Sequence, residues 1–463
     1  MEGSKAKVEK GDYTKKLASH VADFTYRDIP ERVVEQTKVI ILDTIGALLA
    51  ASSPRYMASR IITDLVQKLG GREEATVIGR TFKTSAVNAA LANGTMGYYC
   101  DIESHHPGAI LHAAAVLIPT SLSVGEREGV SGRDIITSVV VGIDVEARVS
   151  FALTPTGQYG RGFHPSAICG CLAAAATAGK TLGLDEGQLT NAIGLSGCQA
   201  SGLLAWESDR TEMSRPFQMG VAARNGVTSA MLAEMGFGGP EVLEGKYTIF
   251  DAFSGERNLE ALTRGLGRDF EVMNLAIKRY SCCAFLHPGL DALLNLMDEH
   301  EIDPDEIRRI TLRYPKSGAR LIDNPALRSH SAQYILSVAA YNKRVMIDDI
   351  LYEKPTDPRI MELSRRVRVA YDSELDRLFP ERYPSIIEIE TEDGKTLEDR
   401  VDHARGTPEN PMTRDEIEEK FKALATTTAD EERTREIIKV VDGLEKAHSI
   451  DELTELLRFK QSL

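Results

Sequence analysis

The sequence predicts a mainly α-helical fold: a large all-helical domain made from both chain ends, residues 1–267 and 408–463, with a smaller α+β lid domain inserted as residues 268–407. Three observations predict it. Apolar residues recur at threes and fours from about residue 11 to 265. After residue 268 the pattern changes to alternation, and a Pro-rich link at 406–412 (GTPENPM) then leads back to helical periodicity. With 463 residues the chain is also about three times a single-core unit, so more than one domain is expected.

Taken in order, the clearest helical stretches are residues 34–50, 86–99, 134–151, 165–182 and 216–235. They are rich in Ala, Gly and Ser, and several lack a polar face, which places them centrally and close together. Within this half only residues 75–78 read as a strand. In the second half, residues 307–314 (IRRITLRY), 367–371 and 386–392 alternate as strands, with helices at 288–300 and 331–340 between them. The Asp-Gly pair in 392–395 (EDGK) signals a turn joining 386–392 to a short strand at 400–404. Helix resumes at 413 and runs to the end, where it returns to complete the first domain.

Composition narrows the partners. Lys+Arg at 55 against Asp+Glu at 69 gives a net charge of −14, which disfavours nucleic acid and anionic membrane. No run of about eighteen apolar residues exists. The first thirteen residues are polar and lack the apolar core of a signal peptide, so a cytoplasmic protein is expected. The six cysteines form no CxxC pair and read as buried reduced thiols. An acidic protein that takes an acidic ligand needs a local cationic pocket, so internal cations become informative.

Histidine supplies the first functional signal. Three of the ten are followed by proline, at 106–107, 164–165 and 287–288, where chance placement gives roughly 0.4 such pairs. Proline favours the first helical position, so each of His106, His164 and His287 is placed near a helix N-terminus. There the macrodipole disfavours imidazolium, and a neutral ring can accept or relay a proton. Simple capping is the alternative reading. The block 101–112 (DIESHHPGAILH) packs two acids, Asp101 and Glu103, and three histidines, His105, His106 and His112, with Ser104 between. It reads as an acid–base cluster, with metal binding the weaker alternative because the spacing is not H-E-x-x-H.

Cations stand at three further points. Arg161 lies between two glycines just before His164, Arg215 precedes Pro216, and Lys278 with Arg279 interrupts an apolar stretch near the domain junction. A lysine drawn into such surroundings has a lowered pKa and serves as acid or base, unless both cations merely snorkel to the surface. No dinucleotide fingerprint, Walker loop or GxSxG elbow is present, so no nucleotide cofactor is expected.

These motifs resemble those of the MmgE/PrpD family over nearly the whole chain. The resemblance rests on the 101–112 block running into 113–119, on RGFHP at 161–165, QASG at 199–202, IKRY at 277–280 with His287-Pro288, SAQY at 331–334 and NPM at 410–412. It implies the helical domain and lid already read from the pattern, a homodimer, and a cleft without metal or cofactor. It also implies that Asp101, His112, His164, Lys278 and Tyr334 are catalytic, with His287 a further motif histidine. Two positions depart: Arg215 and Gln218 stand where similar sequences commonly carry lysine and histidine. Arginine clamps a carboxylate bidentately but does not readily give up a proton, and Gln218 cannot titrate.

The expectation is therefore a metal-free lyase, a dehydratase or decarboxylase, acting on a small di- or tricarboxylate of the citrate or aconitate type. Arg215, Arg161, His105, Ser104, His287 and Gln218 are its expected substrate-binding residues. An epimerase acting on a small dicarboxylate and a carboxylate-binding protein without catalysis are the alternatives.

Overall fold

The computed structural model describes residues 11–351, 356–379 and 382–461, so most of the polar N-terminal stretch lies outside the described residues. The first half is mainly helical, its longer helices being α1 (Tyr13–Asp23), α2 (Glu31–Ala51), α3 (Met57–Leu69), α4 (Ala86–Tyr99), α5 (Ala113–Glu128), α6 (Gly132–Leu153), α7 (Pro165–Thr181), α8 (Glu186–Gly197) and α9 (Ser214–Glu234). The strand expected at 75–78 is a two-residue piece, β1 (Ala75–Thr76), paired antiparallel with β2 (Lys83–Thr84).

Small residues decide how these helices pack. On α9, a Cβ at Gly226 would lie 2.3 Å from the Ala174 Cβ and 2.6 Å from its carbonyl carbon, so α9 and α7 meet backbone to backbone. A Cβ at Gly94 on α4 would likewise lie 3.0 Å from the Gly220 Cα of α9. Helices α4, α5 and α7 are buried along nearly their whole length, which explains why their sequences show no polar face.

The second half carries α10 (His287–Glu299), α11 (Ala332–Asn342) and a four-stranded sheet of β3 (Ile307–Pro315), β4 (Val367–Asp372), β5 (Ser385–Thr391) and β6 (Thr396–Val401). The strand order is β4-β3-β5-β6; β3 and β4 run parallel, and the other two pairs are antiparallel. The strand expected at 400–404 is corrected to Thr396–Val401. The Asp-Gly turn is tight: Gly394 has φ 86° and the Thr391 N–H donates to the Lys395 carbonyl at 3.0 Å, so pairing resumes at once. This strand lies mostly open to solvent and carries Glu, Asp and Arg, so it has little of the apolar alternation by which strands are read.

The chain then returns. Helices α12 (Arg414–Ala425) and α13 (Glu431–Asp442) pack on α2, and α14 (Asp451–Leu457) reaches α5. Phe421 and Leu424 sit against Gly46, and the Lys420 ammonium bonds the Asp43 carboxylate at 2.5 Å and the Ile102 carbonyl at 2.8 Å. Four of the six cysteines are buried, whereas Cys198 is exposed. Among the described residues no helix is long and apolar enough to cross a membrane.

Because Gly226 faces backbone rather than a movable side chain, Gly226→Leu is expected to force α9 away from α7. The loss of stability is expected at about 3 kcal/mol or more in urea denaturation, the upper range for overpacked cores. A change below about 0.5 kcal/mol, the size of an ordinary surface substitution, would contradict this account of the core.

Candidate active site

Three distant segments are laced together by backbone hydrogen bonds. His105 and Ala276 exchange N–H···O bonds of 2.9 and 2.7 Å, and the Ile277 N–H donates to the Gly406 carbonyl at 2.8 Å. At Gly406 φ is 103° and a Cβ would lie 1.9 Å from the Ile277 oxygen, so this crossing requires glycine. Lys278 follows directly and is thereby set beside Asp101.

Asp101 is fully buried in the left-handed region, with φ 50°. Its Oδ1 accepts from the Lys278 Nζ at 2.5 Å and its Oδ2 from the Arg215 Nη2 at 3.1 Å. Asp209 fixes the turn that presents Arg215 by accepting from the Ser214 N–H at 2.8 Å and its hydroxyl at 2.5 Å. Helix α9 thus begins at Ser214, two residues before the expected proline start, and Arg215 stands inside its first turn. The guanidinium lies 4.8 Å from the Tyr98 ring and 5.4 Å from Trp206, and 3.6 Å from the Glu212 carboxylate.

Burial opposes ionisation of Asp101, but Arg215 and Lys278 outweigh it and hold the carboxyl well below the usual range. For Lys278, burial works downward, yet the Asp101 and Glu103 carboxylates prevail and its pKa is raised. The expected lowered lysine is therefore corrected: with a carboxylate on its nitrogen, Lys278 stays an ammonium. Lys278 and Arg215 are thus the two buried cations of the site: Asp101 is shared between them, Glu212 stands 3.6 Å from Arg215 and Glu103 3.8 Å from Lys278.

Two of the three His-Pro pairs stand where expected. His164 is the N-cap of α7 and His287 the first residue of α10. His106 does not start a helix: its Nδ1 accepts from the Ala109 N–H at 3.1 Å and its Nε2 pairs with Glu271 at 3.0 Å, closing a turn. His112 occupies the helix start instead, as N-cap of α5.

The rings of His112, His164 and His330 each have one nitrogen engaged, whereas the His105 Nδ1 is buried without a partner. The His112 Nδ1 lies 2.7 Å from the Oε1 of buried Glu103. The His164 Nδ1 lies 2.9 Å from the Gln218 Oε1, while the Gln218 Nε2 donates to the Leu203 carbonyl at 3.0 Å. A carbonyl only accepts, so this orientation makes His164 the donor at Nδ1. His330 bonds the Ser329 hydroxyl at 2.9 Å, and that hydroxyl donates to Glu212. Burial pushes His164, His287 and His330 down to about 3, and His105 and His112 well below their ordinary range. All five are neutral rings at neutral pH.

One cavity brings together Asp101, His105, His112, Arg215, Lys278 and His330, walled by Tyr98, Trp206 and Tyr383. Other expected residues stand elsewhere. His164 lies behind Trp206, with ring centroids 5.6 Å apart, and Gln218 behind it. His287 lines a neighbouring cavity that shares His105. Ser104 is buried with its hydroxyl unpartnered, and Arg161 bonds the Ala252 carbonyl at 3.2 Å. Tyr334 donates to the Asp349 carbonyl at 2.6 Å, which keeps its hydroxyl off the cavity. Among the described residues no group of three or more His, Cys, Asp or Glu side chains is placed to hold a metal ion.

Sequence reasoning assigned no role to Tyr98, Trp206, Glu212 or His330, and counted Glu103 only as part of a cluster. Trp206 carried a usable signal as the only tryptophan of the chain. His330 directly precedes the SAQY motif but is not followed by proline, the signal that marks His106, His164 and His287.

The neutral histidines set a pH dependence. In the unfolded chain each titrates near 6.5, so below that pH the unfolded state takes up protons that the folded state refuses. Their contribution to stability is full above about 6.5 and is lost as pH falls toward 3. Carboxyls raised by burial act in the opposite direction, Asp43, Asp144, Glu212, Glu244 and Asp291 among them, with Glu103 at about 7 and Glu146 well above its ordinary value lifted furthest. His20, lowered to about 4, adds a sixth ring to the first effect. Thermal melts are expected to show a lower Tm at pH 5.5 than at pH 7.5; an equal or higher Tm at the lower pH contradicts the neutral-ring picture.

Comparison with known proteins shows the family. The chain matches the MmgE/PrpD N-terminal domain over residues 15–262 and the MmgE/PrpD C-terminal domain over residues 280–446. It is 29% identical to a cis-aconitate decarboxylase-like protein of Aspergillus oryzae, covering 96% of this chain and 97% of that protein. It is 27% identical to a cis-aconitate decarboxylase of Aspergillus terreus, over 97% and 96% of the two chains. A mitochondrial 2-methylcitrate dehydratase of Yarrowia lipolytica is 23% identical over 83% of this chain and 79% of its own. With both halves matched and a buried cation–carboxylate cavity joining them, the chain belongs to the MmgE/PrpD family, as an enzyme of its lyase type.

Proposed function

We propose that this enzyme decarboxylates a small tricarboxylate of the aconitate type. The observation that carries the reading is the pair of buried cations, Lys278 and Arg215, held on Asp101 beside a cavity lined by the neutral ring of His112. Arg215 and Lys278 attract the substrate carboxylates. When one carboxylate leaves as CO2, its bonding pair stays on the carbon skeleton and spreads into a neighbouring carboxylate, where the two cations stabilise it. His112 moves the proton at the carbon next to that carboxylate. His164 and Tyr334, though expected to be catalytic, act in this reading as supports behind the wall.

A relative named cis-aconitate decarboxylase, and another named as decarboxylase-like, both matched over nearly their whole length, support loss of CO2 over loss of water. Dehydration is the second reading, favoured by the 2-methylcitrate dehydratase relative. The same proposal takes the enzyme to work as a cytoplasmic homodimer without metal or organic cofactor. It divides the chain into a helical unit of 1–267 with 408–463 and a lid of 268–407.

Incubation with cis-aconitate and with 2-methylcitrate, followed by mass spectrometry, distinguishes the outcomes. Loss of CO2 from cis-aconitate is expected; loss of water alone supports the second reading. Deuterium entering recovered substrate without either loss indicates epimerisation, and no change with any polycarboxylate overturns the proposal. His112→Ala and Lys278→Ala are each expected to lower turnover on the order of 100-fold or more with unchanged circular dichroism; near-normal turnover in both contradicts the assignment.

Trp206 gives an independent reading of binding. Its ring packs between Arg215, His164 and His330, so a carboxylate that engages Arg215 is expected to change its fluorescence. Arg215→Met is expected to weaken that titration by about tenfold or more, the loss of one charged hydrogen-bonding partner. An unaltered midpoint places the carboxylate elsewhere.

A further inference from the structure

The wall of the cavity raises a difficulty for the assigned base. Lys278 and Arg215 both stand near His112 and oppose imidazolium, so the ring alone is a poor acceptor of a proton. What lies behind it answers the difficulty. Glu103 is 0% exposed; its Oε1 is 2.7 Å from the His112 Nδ1, and its Oε2 has no hydrogen-bond partner. Lys278 is 3.8 Å from Oε1. Glu103 does not line the cavity, so its route to a substrate proton runs through the ring.

We propose that Glu103 and His112 form one proton-accepting unit, in which the ring takes a proton at Nε2 and passes its Nδ1 proton to the Glu103 carboxylate. This rests on the reading of His112 as the base. The balance is simple: the N–H bond at Nδ1 breaks, an O–H bond forms at Oε1, and a new N–H bond forms at Nε2. One proton enters and no imidazolium persists. The reverse movement returns the proton to the substrate carbon, or to solvent. His112 therefore presents a lone pair at Nε2 when Glu103 is ionised and an N–H there when Glu103 is protonated.

A buried carboxyl suits this role because a proton can rest on it. Burial pushes Glu103 up to about 7, Lys278 working against it and Asp101 with it. A solvated carboxylate whose oxygens are all hydrogen-bonded orients a histidine without ever being protonated. Apart from the 2.7 Å contact at Oε1, Glu103 is completely buried with its Oε2 unpartnered, and this is what separates relay from orientation. The groups that face Glu103 are Lys278, Asp101, Arg215 and His112, together with Asp43 on α2 and Tyr98 and Cys100 at the end of α4. Of these, Lys278 and Arg215 remain cationic and Asp101 anionic, since each is shifted away from neutrality.

Glu103 is thus a positioning and proton-storing residue, and two measurements test it. The first needs no substrate: nitrogen-15 NMR of the full chain labelled at histidine, followed from pH 6 to 8. In the native protein the unprotonated nitrogen of His112 is expected to move from Nδ1 to Nε2 as pH rises through about 7. Glu103→Gln, whose side-chain oxygen still accepts from Nδ1 but cannot bind a proton, is expected to hold one tautomer throughout. A ring protonated at both nitrogens, or no change over the range, overturns the relay. The second is the pH profile of turnover. Glu103→Gln is expected to keep KM within about threefold while kcat falls on the order of 100-fold and the limb near pH 7 disappears. Glu103→Asp is expected to restore part of both. Retained kcat with an unchanged limb in Glu103→Gln marks Glu103 as structural only. Should Glu103→Gln fail to fold, the native titration decides alone. If the native enzyme turns over no polycarboxylate yet shows the tautomer change, the proposed function fails and the relay stands.

Discussion

The Asp101 carboxylate, buried and shared by Lys278 and Arg215, is the interaction on which the rest of the site depends. Removing three charges from water costs several kcal/mol per ion, and their mutual attraction offsets this only when geometry is good and every lone pair is used. Here both carboxylate oxygens are used, one by each cation. Loss of Asp101 would take from Lys278 and Arg215 the partner they share and leave each with one more distant carboxyl, Glu103 at 3.8 Å and Glu212 at 3.6 Å. The left-handed backbone at Asp101 and at Glu212, which also approaches Arg215, is a further cost that non-glycine residues rarely bear.

That charge arrangement governs the histidines. Burial lowers every ring around the cavity, and for His112 and His105 Lys278 lowers it further. The site therefore separates its two tasks chemically. Fixed positive charge comes from groups that do not lose protons near neutral pH, and proton movement comes from rings that remain neutral. Holding these groups in register falls to backbone: the pairing of His105 with Ala276 and of Ile277 with Gly406 ties three segments far apart in sequence. Side chains supplied by helix starts at His112 and His164 can then be aimed with little freedom left.

Much of this was legible in the sequence, for identifiable reasons. Central helices could be read because close packing requires Ala and Gly, and residues such as Gly226 and Ala174 meet without side chains between them. Strands β3 and β5 could be read because one face is buried; β6 was misplaced because it lies mostly in solvent and turns earlier than its composition suggests. The site residues Asp101, His112, Arg215 and Lys278 announced themselves as charged or titratable groups in apolar settings. Tyr334 and Arg161 looked equivalent in sequence, yet their partners are backbone carbonyls elsewhere. A sequence shows that a polar group is near a helix start, but not which way its side chain turns. His106 is the clearest case, since its proline closes a turn and leaves the helix start to His112.

Gln218 and Arg215 bear on the reaction itself. Gln218 fixes the tautomer of His164 through Nδ1, as Glu103 engages His112 through the same atom, but the two partners differ in one property. A carboxylate can receive the proton that the ring passes on; an amide oxygen cannot. Two rings with similar hydrogen bonds are therefore unequal as bases, and only His112 has a place to store a proton. Transfer between two opposed bases, the economical route for inverting a carbon centre, needs both to accept. A single competent unit beside a cluster of fixed positive charge instead favours a reaction in which one proton moves and a charged group departs. Arg215 acts in the same direction, because a guanidinium stabilises developing negative charge without surrendering a proton.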